Sequence, residues 1–410
     1  MTALACAAEG RIPNSKTGTA YISGFAADCR RHRRELRGGA ACGMLTGMKV
    51  AIVHYWLVTM RGGEKMLEAL LELFPEADIY THVYDPAAVS PRINAHRVYT
   101  SSVNRLPFAK KLYRSYMPLM PDALAEFDLQ GYDVVISSEA GPAKGVVPAP
   151  GAYHLCYCHS PMRYLWDMYH EYARGANPAQ RFFMRRMTPR LRLWDVASAN
   201  LVDRFVTNSR YVAQRIKRYY NRDAEVVFGP ADTERFLAVE RKPEDFYLFL
   251  GQLAGYKRAD LAIDACVASG RKLVVAGAGA KPARRPLRSG LVSFTGRLRD
   301  DEVAQYYARA KALLFPGVED LGLVPIEANA AGCPVVAYRK GGALDTVKEG
   351  VTGVFFDEQT PAALAAALDR FEAAEARFAD RAPFSDHVRQ FSKAAFIGRI
   401  QRILAERKRV

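Results

Sequence analysis

The sequence predicts an α/β protein built from two doubly wound, Rossmann-like domains facing one another across a cleft. Three observations predict it. Short apolar runs rich in β-branched residues, such as MKVAIVHYWL (Met48 to Leu57) and KLVVAGAG (Lys272 to Gly279), read as strands buried on both faces of a parallel sheet. These runs alternate with stretches of helical periodicity, the pattern of successive βα units. The series pauses once, at the charged, Pro-containing ERKPED (Glu240 to Asp245), and restarts at FYLFLG (Phe246 to Gly251). A chain of 410 residues is also too long for one ordinary core, and two domains of roughly 150–200 residues are expected.

Composition narrows the class. Half of the residues are apolar and a quarter charged, as in a globular protein, and no apolar run approaches the roughly 18–20 residues that span a bilayer. The opening MTALACAAEG lacks a basic n-region and a long apolar core, so no secretory signal is read there and a cytoplasmic location is expected. Seven scattered cysteines, with Cys156 and Cys158 only two apart, fit buried reduced thiols better than a disulfide framework or a zinc knuckle. The net charge of +15 calls for an anionic partner. Without a helix-turn-helix, a zinc finger or an RNP-type strand, that partner is expected to be a phosphorylated substrate or an anionic lipid surface, not a nucleic acid.

Residues 1–47 are rich in Gly, Ala and Arg, carry the run RRHRRELR (Arg30 to Arg37), and read as a disordered basic extension or an over-long start ahead of Met48. The first domain is placed at 48–240. In it, Gly62-Gly63 precede a helix from about Glu64 whose stripe is Met66, Leu67, Leu70, Leu71 and Phe74. Strand, Gly-Gly loop and helix together bring backbone N–H groups close to a phosphate. Further strands are read near Asp78–Val83, Tyr132–Ser137 and Tyr153–Cys158, then at DRFVTN and AEVVFG. His159 follows one of them directly, at the carboxyl edge where open α/β sheets bind ligands. Two segments, Phe108 to Pro121 and Arg181 to Asp195, interleave basic and aromatic residues in the manner of a surface that meets an anionic membrane. A water-facing cationic helix is the plainer alternative.

The second domain is placed at 241–385, with 386–410 a helix packing back toward the first. Its strands end in groups suited to an anionic, hydroxyl-rich ligand. Lys257 follows one, Gly277 and Gly279 a second, and the loop at Gly296 to Leu298 a third. The fourth runs into FPGVEDLGLVPIEANAAGCPVVA (Phe315 to Ala337), where Glu319 lies on a loop and Glu327 in the first turn of a helix opening near Pro325. A dinucleotide fingerprint is not met at VVAGAGAKPARR, because Pro282 stands at the third glycine position. No HExxH, GxSxG or P-loop occurs, nor any Asp-x-Asp to hold a divalent ion against a diphosphate.

Glu319 and Glu327, separated by seven residues within EDLGLVPIEANAAGCPVVA, resemble the E-x7-E motif of retaining glycosyltransferases of family 4, which have the GT-B fold. The resemblance extends over nearly all of Met48 to Val410. HYWLVTMRGGEKMLEAL, YCHSPMRYLWDMYHEY and GQLAGYKRADLAIDA resemble the branch containing mannosyltransferases of bacterial O-antigen and exopolysaccharide assembly. The resemblance implies a metal-independent hexosyl transfer from a nucleotide sugar, GDP-mannose first among candidates, to a saccharide or lipid-linked acceptor at the inner face of the membrane. No cofactor is implied. It assigns Glu319 and the backbone of Asp320, Leu321 and Gly322 to the donor sugar, and Glu327 to the ribose. Lys257 is assigned to the diphosphate, with Gly62 and Gly63 lining it. His159 falls beside the sugar, and the backbone near Arg297 meets the base. Gln252 stands where the family commonly has an Arg, leaving Arg258 as the further candidate cation. The competing classes are a binding protein without turnover and a nucleotide-sugar epimerase on the same fold.

Overall fold

The computed structural model describes residues 47–279 and 290–407, so the basic extension up to residue 46 and Pro282 lie outside the described residues. Met48–Ile400 and Arg407 belong to one compact unit. Its first sheet contains β1 (Val50–His54), β2 (Asp78–Thr81), β3 (Val98–Thr100), β4 (Val134–Glu139), β5 (Tyr153–Cys158), β6 (Arg204–Thr207) and β7 (Ala224–Val226). All are parallel, in the order 3-2-1-4-5-6-7. The second sheet contains β8 (Tyr247–Leu250), β9 (Leu273–Ala276), β10 (Val292–Gly296), β11 (Leu313–Phe315), β12 (Val335–Tyr338) and β13 (Gly353–Phe356). It too is wholly parallel, in the order 10-9-8-11-12-13. In each sheet the order reverses beside the first strand, at β1/β4 and at β8/β11. The loops leaving those strands diverge there and open a crevice at the carboxyl edge.

Eight described helices of eight or more residues cover the sheets: α1 (Gly62–Leu73), α2 (Pro178–Ser198), α3 (Arg210–Tyr220), α4 (Ala259–Ala268), α5 (Asp300–Arg309), α6 (Leu323–Ala330), α7 (Pro361–Ala373) and α8 (Lys393–Ala405). The second sheet is apolar on both faces, as its near-continuous hydrophobic strands require. Leu248, Leu313, Val335 and Ala337 pack with Tyr307 and Ile326 on one side. Tyr247, Phe249, Leu314 and Val336 pack with Ile263, Leu368 and Phe371 on the other. The start of α8 lies against the first domain, where Phe396 meets the Tyr157 ring edge-on at 5.7 Å and Lys393 pairs with Glu72 at 2.7 Å.

Several boundaries differ from the sequence reading. β3 and β13, each at an edge of its sheet, were not read from the sequence. Phe108 to Pro121 is not one amphipathic helix. It is broken into Ala109–Leu112, a 3₁₀ turn at Met117–Leu119 and a short helix at Met120–Ala123, because Pro118 and Pro121 cannot donate to a continuing ladder. α6 opens at Leu323, two residues before Pro325, and so Glu327 sits in its second turn. Gly322, at φ +83°, supplies the left-handed cap, and Pro325 falls among the first residues, where a missing N–H costs nothing.

A buried ionic cluster escaped the sequence reading altogether. Lys144, fully buried, donates to Glu139 Oε1 at 3.0 Å and also to the Asp195 carboxylate, both themselves buried. Tyr220 Oη and Trp166 Nε1 donate to Asp195 at 3.0 and 2.7 Å. The cation offsets two desolvated carboxylates and pins α2 and α3 to the end of β4. Cys156, Cys158, Cys266 and Cys333 are free and buried, as expected.

Two histidines are built in as neutral hydrogen-bonding groups. His154 meets Leu201 O at 2.7 Å and Ser137 Oγ at 2.8 Å, and His82 meets Pro142 O at 3.0 Å and Ser101 Oγ at 3.1 Å. Burial pushes both from 6.5 down to about 4. Between those values the unfolded chain binds protons that the folded chain refuses, so stability present above pH ~6.5 is lost as the pH falls toward ~4. The slope is about 1.4 kcal/mol per pH unit for each histidine. Urea unfolding at pH 7.5 and pH 5 should therefore show a lower midpoint at pH 5, and equal midpoints would contradict the assignment.

Candidate functional site

The second sheet contributes a nest of loops held together by glycine. A Cβ on Gly277 (φ +147°) would lie 1.7 Å from Gly251 O, so the loops after β8 and β9 pack backbone on backbone. A Cβ on Gly317 would lie 2.7 Å from Lys257 Cα, so the loop after β11 presses directly on the Lys257 turn. The result is a salt bridge between Lys257 Nζ and Glu319 Oε1 at 2.9 Å, with both side chains only partly exposed. A cation and a carboxylate from opposite sides of the β8/β11 switch point thus meet at the sheet edge.

The Glu319–Gly322 loop is further held from behind. Gly342 N donates to Glu319 O at 2.8 Å, and a Cβ on Gly342 would lie 2.4 Å from Leu321 Cα. Glu327 is half-buried on α6 and accepts from Tyr307 Oη at 3.2 Å. Burial raises its pKa, with Lys65 and Arg235 acting in the opposite direction. Arg258 has a left-handed backbone (φ 56°) at the cap of α4, and its Nε lies 3.2 Å from Asp260 Oδ1. Its guanidinium is thereby engaged beside its own helix, and Gln252 is exposed. Lys257 is the cation that the fold brings to Glu319. Arg297 is exposed at the end of β10, and Gly277 N donates to Gly296 O at 2.7 Å, which ties that loop to the Gly277 turn.

The first sheet supplies the facing wall. Gly62 and Gly63 open α1, and a Cβ on Gly63 would lie 2.5 Å from Tyr55 Oη. The Glu64 carboxylate reaches back to accept from Arg61 N at 2.8 Å, a cap on the free donors of the first turn. His159 leaves β5 with its N–H on Glu139 O (2.8 Å) and its Nε2 on Ser138 Oγ (3.0 Å). Burial, with His54 nearby, pushes it from 6.5 down to about 3, so it is a neutral hydrogen-bonding group and not a general acid.

The two walls touch. A Cβ on Gly62 would come within 3.2 Å of Leu323 Cδ1, which sets the amino end of α1 against that of α6. Asp320, beside Glu319, is held by first-domain cations: Arg215 Nη1 at 2.9 Å and Arg163 Nη1 at 3.7 Å. Arg215 is itself buried, with further bonds to Asp167 Oδ1 (2.6 Å), Ser160 Oγ (2.7 Å) and Pro161 O (3.2 Å). Arg210 makes a second pair across the walls, its N–H donating to Asp345 Oδ2 at 2.9 Å and its guanidinium to the same carboxylate. Sequence reasoning found neither clamp, because partners more than a hundred residues apart leave no local signal. Among the described residues, no three His, Cys, Asp or Glu side chains are grouped to hold a metal ion.

Two doubly wound domains with their ligand-type residues gathered between facing carboxyl edges define the GT-B architecture. Solved structures of that architecture superpose on the chain. Anabaena Alr3699/HepE in complex with UDP matches with a TM-score of 0.61 and 16% identity, over 88% of this chain and 100% of that one. Sucrose-phosphate synthase from Thermosynechococcus elongatus matches with a TM-score of 0.62 and 19% identity, over 87% and 98%. In sequence, residues 60–235 match the family model Glycosyltransferase Family 4, and residues 230–393 match Glycosyl transferases group 1. The two models together place the chain among the group 1/family 4 glycosyltransferases. A D-inositol 3-phosphate glycosyltransferase of Acidothermus cellulolyticus is 28% identical over 210 residues, 43% of this chain and 46% of that protein. One of the same name from Frankia alni is 32% identical over 162 residues, 34% and 40%. The match spans about half the length of these relatives or less.

The loop support can be tested without touching a charged group. Gly342 has an ordinary φ of −65°, so Gly342→Ala strains no dihedral angle and acts by pushing on the backbone of Leu321 and Asp320. The expected cost is about 1–3 kcal/mol of overpacking, read by denaturant unfolding, with loss of any ligand affinity that depends on the Glu319–Gly322 loop. An unchanged midpoint and affinity would show that the loop does not depend on this contact.

Proposed function

We propose that the protein is a retaining, metal-independent glycosyltransferase that moves a hexose from a nucleoside diphosphate sugar to a saccharide or lipid-linked saccharide. The observation that carries this reading is the Lys257–Glu319 pair at the β8/β11 switch point, with Gly62 at the amino end of α1 set against Leu323 at that of α6. In this reading Lys257 turns from Glu319 to the departing diphosphate. The amino ends of α1 and α6 add their partial positive charge to the same region. Glu319, released, and the backbone of Asp320, Leu321 and Gly322 hold the hexose hydroxyls, while Glu327 takes the ribose. The backbone near Arg297 meets the base. Neutral His159 offers a hydrogen bond on the sugar side. Closure around the donor excludes water, and retention proceeds by same-face attack through a short-lived ion pair, since the sequence offers no evident carboxylate nucleophile.

GDP-mannose is the first candidate donor, on the resemblance to the mannosyltransferase branch. The names of the inositol-phosphate relatives favour one alternative acceptor, a soluble phosphorylated polyol. Binding without turnover is the competing class, favoured by the exposed Gln252 and by the engagement of Arg258 with Asp260. Incubation with a panel of nucleotide sugars, with and without acceptor, separates these readings, and an epimerase would convert donor with no acceptor present. Glu319→Ala should lower kcat/KM about 10²–10³-fold with the fold intact, Lys257→Ala should lower turnover and nucleotide affinity together, and chelator should leave activity unchanged. Undiminished turnover in Glu319→Ala would overturn the assignment.

An acceptor at the inner face of the membrane accounts for the cationic and aromatic surface that α2 exposes. α2 presents Phe182 and Phe183, 66% and 64% exposed, beside exposed Arg181, Arg185, Arg186 and Arg190, and Phe108 is 74% exposed. Aromatic and cationic groups both face solvent, which suits insertion at an anionic interface better than a plain water-facing helix. Among the described residues no helix is long and apolar enough to cross a membrane. Co-sedimentation should show binding to vesicles containing phosphatidylglycerol and little to pure phosphatidylcholine, and it should fall in the double variant Phe182→Ser, Phe183→Ser. Equal binding of variant and parent would remove α2 from the contact.

A further inference from the structure

Four elements of the first domain bring one buried polar chain to His159. His54 ends β1, Ser138 lies near the end of β4, Glu64 stands in the first turn of α1, and His159 follows β5. Glu64 Oε1 lies 4.0 Å from His54 Nε2, His54 Nδ1 lies 2.9 Å from Ser138 Oγ, and Ser138 Oγ lies 3.0 Å from His159 Nε2. His54 and Ser138 are fully buried and Glu64 is 1% exposed, whereas His159 is half-buried and is the member of the four that solvent reaches. Neither the donor-binding roles assigned above nor the core packing calls for this chain. The buried His54 Nε2 has no hydrogen-bond partner and faces the Glu64 carboxylate.

The proton count along the chain is constrained. Ser138 carries one hydroxyl hydrogen, so it donates to one imidazole and accepts from the other. The Glu64 carboxylate selects which. His54 holds it below its ordinary range, and its second oxygen is occupied by Arg61 N, so a negative oxygen faces His54 Nε2. A neutral His54 ring therefore keeps its proton on Nε2, and its Nδ1 accepts from Ser138. Ser138 then accepts from His159 Nε2–H, which leaves the lone pair of His159 on Nδ1. Among the described residues Nδ1 has no protein partner, and it is not among the atoms sealed from solvent.

We infer that Glu64, His54 and Ser138 are positioning residues that fix the tautomer and orientation of His159, so that its Nδ1 presents a hydrogen-bond acceptor to a substrate hydroxyl in the cleft. The functional half of this inference rests on the glycosyltransferase reading; the tautomer does not. The relay also joins the amino end of α1, assigned to the diphosphate, to the group assigned to the sugar.

Long-range ¹H–¹⁵N spectra of histidine-labelled protein at pH 7.5, assigned with His54→Gln and His159→Gln, read the tautomers directly. The parent should show His159 protonated on Nε2. Glu64→Gln is the diagnostic variant. Its amide oxygen can keep the cap on Arg61 N, which turns the amide hydrogens toward His54 Nε2. The His54 proton then moves to Nδ1, Ser138 donates to His159 Nε2, and the His159 proton moves to Nδ1. The same variant should lose at least about tenfold in kcat while nucleotide affinity stays within about twofold, a split that a general loss of fold would not give. Ser138→Ala should leave His159 a mixture of tautomers. A parent protonated on Nδ1, or a Glu64→Gln spectrum with His159 unchanged, would overturn the relay. A tautomer that switches with kcat unaltered would overturn its role in transfer. Absence of transfer by the parent would instead count against the glycosyltransferase reading, with the spectra still deciding the relay.

Discussion

The reversal of strand order beside β1 and beside β8 is the constraint on which the rest of the structure depends. A parallel sheet must cross over after every strand, and where consecutive crossovers leave in opposite directions the loops cannot cover the carboxyl edge between them. The fold therefore opens a crevice at β1/β4 and another at β8/β11, whatever the loops contain. Gly62, Gly63, His159, Lys257 and Glu319 all stand on loops or helix starts leaving strands at or next to these two points. Chemistry is concentrated there because backbone donors, helix ends and unsatisfied side chains can be left unpaired only where a ligand or water can reach them.

Keeping those loops in register takes more than topology. On the second sheet the means is close backbone approach. Gly251, Gly277, Gly317 and Gly342 let four loops interlock at distances that a Cβ would forbid at three of them, and Lys257 and Glu319 meet as a consequence. On the first sheet the means is buried charge. Lys144 between Glu139 and Asp195 anchors the end of β4, the strand that carries Ser138, and the main-chain oxygen of Glu139 accepts from His159. Between the sheets, Arg215 and Arg210 hold Asp320 and Asp345. Truncating one partner of a buried pair leaves the other charge without compensation, at about 3–5 kcal/mol. The Arg215–Asp320 clamp, with its guanidinium buried, therefore fixes the spacing of the two walls more firmly than the Arg210–Asp345 pair, whose arginine side chain is 69% exposed.

The site's polar groups fall into two kinds. Lys257 and Glu319 form a partly exposed pair whose ions can be exchanged for those of a ligand. His159 is desolvated and neutral and can only donate or accept a hydrogen bond, so its tautomer decides what it offers. That division suits a reaction in which charge departs on a diphosphate while hydroxyl groups are held in place.

What the sequence determined by itself was local. Apolar β-branched runs declared the strands, the ERKPED break separated two βα series, and the end of the fourth strand of the second series put Glu319 on the loop that follows it. These signals are legible because burial of a parallel strand and the backbone freedom of glycine act within a few residues. The sequence could not show that α6 begins at Leu323, since a glycine cap with positive φ is a conformation and not a composition. Nor could it show that Asp320 belongs to Arg215, or that Glu64, His54 and Ser138 run in line to His159. Those facts join residues drawn from separate strands and helices, often far apart in the chain. Only the closed fold, by removing them from water together, decides which charge answers which and where each proton rests.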